Sequence, residues 1–178
     1  MQGQIALVGM MGVGKTAVGQ EIARQLGVVF TDTDTEIERA AAMTIPEIFA
    51  RDGEAFFRDR ESLVLARILD GRRGVVSTGG GAWVQPQNRA LIRAAGVALW
   101  LDADLDTLWE RVRHRATRPL LMTDNPRETL AKLLETRRPV YAKAHLRVPT
   151  DAQSDIETTA RRAIAAIRAN HPHFLEAR

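Results

Sequence analysis

Apolar and polar positions along this chain alternate between two rhythms. Short, largely apolar runs at 5–8, 28–31, 75–78, 97–101 and 146–148 predict strands. The run Val97-Ala98-Leu99-Trp100-Leu101 has no polar position at all and reads as a parallel strand covered on both faces. Between these runs the apolar positions recur at helical spacing. Val18, Ile22 and Leu26 form one such stripe, Phe57, Leu65 and Ile68 another with Glu61 on the same side, and Ile156, Ala160, Ile164 and Ile167 a third. Further helices are expected over 35–42, 86–95, 104–115 and 127–144, the last interrupted near Pro139.

Local punctuation sets the boundaries. Thr44-Ile45-Pro46-Glu47 is a capping box with proline in the first turn, and Asp52-Gly53 breaks the short helix it starts. Gly71 closes the helix from Glu54, Gly96 stops the helix over 86–95, and Asp104 caps the next. Residues 116–125 form a polar loop, and the tail over 171–178 is expected to fray. Strand and helix alternate with no repeat, low-complexity tract or linker, so 1–170 reads as one α/β domain. Its parallel sheet would carry helices on both faces.

Composition narrows the class. The 178 residues contain no cysteine, which excludes disulfides and thiolate metal sites. No segment approaches the roughly 20 apolar residues of a membrane span. The first strand begins close to Met1, leaving no room for a targeting peptide, so a soluble cytoplasmic protein is expected. The pI near 9.9 overstates a formal net charge of only +3, because few groups titrate near neutrality. Without an aromatic-interleaved basic run, no nucleic-acid partner is expected.

The strongest chemical signal is Gly9-Met10-Met11-Gly12-Val13-Gly14-Lys15-Thr16, a G-x-x-x-x-G-K-T sequence between the first strand and the first helix. Glycines let successive N–H groups turn onto an anion, and the helix dipole points to the same place. The backbone of Gly12, Val13, Gly14, Lys15, Thr16 and Ala17 would cradle a nucleoside triphosphate. Lys15 would reach the β/γ-phosphates and the Thr16 hydroxyl would meet Mg²⁺.

Other candidates lie at strand ends, where ligands of open parallel sheets bind. Asp32 and Asp34 are two apart in an extended segment, so both can face one crevice. One could support the metal through water while the other meets an acceptor hydroxyl. A plain alternative is that Asp34 or Thr35 caps the next helix. The strand over 75–78 runs into Gly79-Gly80-Gly81 rather than the metal-binding aspartate of many P-loop enzymes, leaving Asp32 as metal support. Arg58 and Glu61 are spaced for an i,i+3 ion pair worth about 0.3–0.5 kcal/mol at a surface. Phe49 and Phe57 read as core, Trp83, Trp100 and Trp109 as packing, and the four histidines as surface residues. Arg118, in a loop beside the P-loop, could swing onto transferring phosphate.

In order, these elements resemble the shikimate kinase family: the P-loop, Asp32-x-Asp34, Arg58 with Glu61, Gly79-Gly80-Gly81, Arg118-Pro-Leu-Leu and Arg137-x-Pro-x-Tyr141. The stretch Thr150-Asp151-Ala152-Gln153-Ser154 is a weaker match. The resemblance implies ATP-dependent phosphorylation of the shikimate 3-hydroxyl, in the route to chorismate and the aromatic amino acids. It also implies a three-layer α/β/α sandwich around a five-stranded parallel sheet; a monomer is expected. Asp34, Arg58, Gly80 and Arg137 would hold shikimate. Lys15 and Arg118 would hold the ATP phosphates, Arg111 and Gln153 would lie near adenine, and Thr16 and Asp32 would serve Mg²⁺. The acceptor-binding segment would span 32–61 and the lid 112–125. A gluconate kinase on the same scaffold and a non-catalytic nucleotide-binding domain are the rival expectations.

Overall fold

The computed structural model describes residues 3–70, 73–114 and 119–176. In chain order the elements are β1 (Gln4–Val8), α1 (Lys15–Leu26), β2 (Val29–Asp32), α2 (Thr33–Ala41) and α3 (Ile45–Leu69). They continue through β3 (Gly74–Ser77), α4 (Pro86–Ala95), β4 (Gly96–Asp102), α5 (Leu105–Val112), α6 (Pro126–Tyr141), β5 (Leu146–Pro149) and α7 (Ile156–Asn170). Short 3-10 turns occupy Ala82–Val84 and Pro119–Leu121.

The strands form one five-stranded sheet in the order β2-β3-β1-β4-β5, all parallel. Chain direction reverses across the sheet at β1, and right-handed crossovers therefore put α1 and α4 on opposite faces. α1 packs with α7, and α4 packs with α3 and against β1 and β4. The three-layer α/β/α expectation is met. β1, β3 and nearly all of β4 are buried, whereas edge strand β2 leaves Val29 exposed. This is the burial gradient expected for central and edge strands of a covered sheet. Among the described residues, no helix is long and apolar enough to cross a membrane.

Several boundaries move for identifiable reasons. α2 begins at Thr33 because Asp32, not Asp34 or Thr35, is its N-cap, accepting the N–H groups of Asp34 and Thr35. The capping box at Thr44 is present, and α3 breaks at Gly53 as expected, where a non-helical φ of 81° kinks it into two helical segments. Pro139 sits inside α6 without ending it. α5 stops at Val112, short of the expected 115. The tail is not loose throughout: Phe174 and Leu175 pack against the core. Gly71 and Arg118 lie outside the described residues.

Candidate active site

The carboxyl ends of β1, β2 and β3 meet at the place where strand order reverses, the usual ligand crevice of an open parallel sheet. After β1 the chain turns through the glycine loop into α1, whose N-cap is Gly14. Gly12 shows why this sequence is needed. Its φ is +79°, and a Cβ there would fall 2.5 Å from a methyl of Val112. Lys15 is buried, and its ammonium donates to the carbonyls of Gly9 and Met10, both at 2.9 Å. The lysine thus folds back along the loop it must serve, with its charge held at the loop's edge.

Thr16 Oγ1 donates to Asp32 Oδ2 at 2.8 Å and lies 3.5 Å from Ser77 Oγ. In-register pairing of Asp32 with Ser77 brings β2 and β3 to this point. The capping role expected of Asp34 or Thr35 thus falls to Asp32, which uses one oxygen to cap α2 and the other to meet the P-loop threonine. Hydroxyl and carboxylate oxygens are the donor set of a hard divalent cation, so these residues fit Mg²⁺.

A cavity of about 830 Å³ opens over the loop, lined by Gly12 to Val18, Asp32, Asp34, Ser77, Arg111, Thr150 and Ser154, among others. Arg111 donates to Val13 O at 3.1 Å and to Asp151 O at 2.7 Å, tying α5 and the turn after β5 to the P-loop. Gln153 is exposed in that turn, its N–H given to Asp151 Oδ1, and it does not line the cavity; Ser154 and Thr150 do.

A second cavity of about 410 Å³ adjoins it and shares Met11, Asp34 and Gly80 with the first. Its wall brings together Arg58, Glu61, Gly79, Gly80, Gly81 and Arg137 from distant parts of the chain. Phe49 and Phe57, read from sequence as core, line it as well, as do Pro119 and Leu120 of the expected lid. Arg58 and Glu61 are not a surface pair. Glu61 is fully buried, and Arg58 Nη1 donates to its Oε2 at 2.9 Å while Glu54 takes the other edge of the guanidinium. The reason is packing: Glu61 occupies the apolar stripe of α3 between Phe57 and Leu65.

Burial pushes the Glu61 carboxyl above its ordinary range, with Arg58 opposing and Asp34 adding to the rise. Burial alone would lower Arg58, but Glu61 and Glu54 outweigh it and leave the guanidinium raised. Gly79 makes this crowding possible. A Cβ there would stand 2.6 Å from Glu61 Oε1 and 2.8 Å from Asp34 Oδ1. Arg137 is buried, and its Nη1 has no hydrogen-bond partner among the described residues. A buried guanidinium nitrogen left in this state costs free energy that an anion in the cavity would recover.

Three supports escaped the sequence reading. Thr33 Oγ1 accepts the N–H of Gly79 at 3.0 Å, fastening the glycine run to α2. The Tyr141 hydroxyl donates to Gly80 O, and burial pushes its pKa up to about 12. Trp83, read only as packing, also donates its indole N–H to Val140 O at 2.9 Å. Both aromatic rings are fully buried, so the end of α6 is locked to the glycine run.

A P-loop at a strand-order switch, facing an adjoining cavity with two arginines and three carboxylates, defines a small-molecule phosphotransferase of the P-loop kinase class. Comparison with known proteins specifies which. The shikimate kinase family model matches residues 11–168. A shikimate kinase of Cereibacter sphaeroides is 59% identical over 172 residues, covering 97% of this chain and 85% of that protein. One of Ruegeria pomeroyi is 58% identical over 163 residues, with 92% and 84% covered. Among solved structures, a shikimate kinase from Acinetobacter baumannii in complex with shikimate aligns with a TM-score of 0.92 at 38% identity, covering 96% of each chain. The chain belongs to the shikimate kinase family.

Proposed function

We propose that this protein transfers the γ-phosphoryl group of ATP to the 3-hydroxyl of shikimate, giving shikimate 3-phosphate and ADP. The observation that carries this reading is the pair of adjoining cavities, one over the P-loop and one lined by Arg58 and Arg137, meeting at Asp34 and Gly80. Shikimate is a carboxylate with three hydroxyls. Arg58 and Arg137 would clamp the carboxylate, and Asp34 would meet hydroxyls on the side nearer the nucleotide.

The 3-hydroxyl oxygen forms its bond to the γ-phosphorus as the bond to the bridging oxygen of ADP breaks. The hydroxyl proton passes to Asp34, which lines both cavities. Positioning and charge neutralisation do most of the work in such a transfer. Lys15 serves the phosphates, and Arg118 is assigned to them by family resemblance. Mg²⁺, when bound beside Thr16 and Asp32, would neutralise charge on the β- and γ-phosphate oxygens. Arg111 would lie against the adenine end, with Gln153 at its margin. Residues 1–170 would act as one catalytic unit, with 32–61 as the acceptor-binding segment and 112–125 as the lid. The same reading has the enzyme act as a cytoplasmic monomer on small anions, without nucleic acid or membrane.

Assays of ATP turnover with shikimate and with gluconate test the proposal. Shikimate 3-phosphate should form and gluconate should be inert. Turnover of gluconate alone, or binding of ATP and shikimate without transfer, would overturn it.

A further inference from the structure

Asp102, the last residue of β4, is a buried carboxylate that the phosphotransfer reading leaves unused. Its two oxygens serve different elements. Oδ1 accepts Arg138 Nη2 of α6 at 2.8 Å, whereas Oδ2 accepts Arg147 of β5 at 2.6 and 2.9 Å. Its backbone carbonyl takes a third partner, the N–H of Thr150 at 2.8 Å. Both guanidinium groups are about half exposed, so the arginines come to the carboxylate from solvent while the carboxylate itself is only 4% exposed.

Each branch leads to one substrate cavity. Arg138 follows Arg137 on α6, and successive helical side chains are turned about 100° from each other. Holding Arg138 on Asp102 therefore adds to the Tyr141 and Trp83 contacts in fixing the rotation of α6 that aims Arg137 into the acceptor cavity. Arg147 and Thr150 bracket the end of β5, and Thr150 opens the turn whose Asp151 carbonyl receives Arg111. Thr150, Ser154 and Arg111 line the nucleotide cavity. Arg147 also lies over the Trp100 ring at 5.3 Å, which steadies this branch against β4.

We infer that Asp102 is a positioning residue that holds the two substrate half-sites in their mutual geometry, through Arg138 toward the acceptor and through Arg147 toward the nucleotide. The inference rests on the phosphotransferase reading above. Asp102→Asn keeps the volume but sets an amide N–H₂ against one guanidinium, removing charge-assisted hydrogen bonds from both branches.

The test is steady-state kinetics with shikimate and ATP varied in turn, for Asp102→Asn, Arg138→Met and Arg147→Met. Arg138→Met should raise the KM for shikimate about three- to tenfold and leave that for ATP in place. Arg147→Met should do the reverse, and Asp102→Asn should raise both. Adding either arginine substitution to Asp102→Asn should then have little further effect on the matching KM. Both arginine side chains are substantially exposed, so these variants carry the test even where Asp102→Asn fails to fold. A lowered thermal midpoint with both KM values unchanged would reduce Asp102 to a fold residue. Equal movement of both KM values by each arginine variant would remove the branching. Failure of the unmodified chain to phosphorylate shikimate would instead sink the activity reading, so the two failures are distinguishable.

Discussion

The nucleotide side and the acceptor side of this crevice are built in opposite ways. The first is mainly one unbroken stretch, 11–18, whose backbone makes the binding surface and whose shape follows from local φ/ψ. The second has no contiguous core. Asp34 comes from α2, Arg58 and Glu61 from α3, Gly79 to Gly81 from the loop after β3, and Arg137 from α6. Backbone recognition of phosphate survives wherever strand, loop and helix remain in order. Side-chain recognition of the acceptor depends on helices packing at the right rotation, and it uses buried charges that are costly to misplace.

Lys15→Met strikes the first side hardest. It should lower kcat/KM by about 100- to 1000-fold, in the range for loss of one charge-stabilising donor in a transition state. Loss of its bonds to the Gly9 and Met10 carbonyls should also cost about 1 kcal/mol of stability. Retained turnover would detach Lys15 from the phosphates. Arg137→Met comes next and should act on the other side alone. The KM for shikimate should rise about 100-fold with ATP unaffected, because a buried cation facing an anion is worth several kcal/mol. An unchanged shikimate KM would remove Arg137 from the acceptor cavity.

Gly79→Ala is a finer cut along the same line. The added methyl meets Glu61 and Asp34 at under 3 Å, so one carboxylate must shift. The expected result is a rise of about tenfold in the shikimate KM, with a normal ATP KM, because the displaced group loses hydrogen-bond geometry rather than charge. Parallel loss of ATP binding would show that the two cavities are not independent.

How much was legible in sequence follows the same division. The P-loop, the parallel sheet and the triple glycine could be read because their signals are local and their spacing is diagnostic. Asp32 was read as metal support, but its capping of α2 was assigned to its neighbours, since sequence does not say that one carboxylate serves two directions. Glu61 carried a visible signal that was undervalued. A charged residue within the apolar stripe of Phe57, Leu65 and Ile68 must be buried, and a buried acid needs a partner such as Arg58. Thr33, Asp102 and Tyr141 act through contacts across large separations in the chain, where helical or strand periodicity is silent.

His145 belongs to neither side and so supplies the control. Its Nδ1 accepts the N–H of Ala98 at 2.9 Å, which requires the neutral ring. Burial, with His171 and Arg93 nearby, lowers its pKa from the ordinary 6.5. The unfolded chain therefore binds the proton more readily than the folded one. The stabilisation is present above about pH 6.5 and is lost as pH falls through the folded value. Solvent screening keeps the effect below about 1 kcal/mol. Thermal midpoints of the parent and His145→Gln, taken from about pH 7.5 down to about pH 5, should converge as the ring protonates. Carboxylate titration is common to both proteins and cancels in the difference. The KM values for shikimate and ATP, measured at about pH 7.5, should be the same in the two proteins. A kinetic change there would mean that the far end of β4 communicates with the crevice, and the two-sided description would then need a third participant.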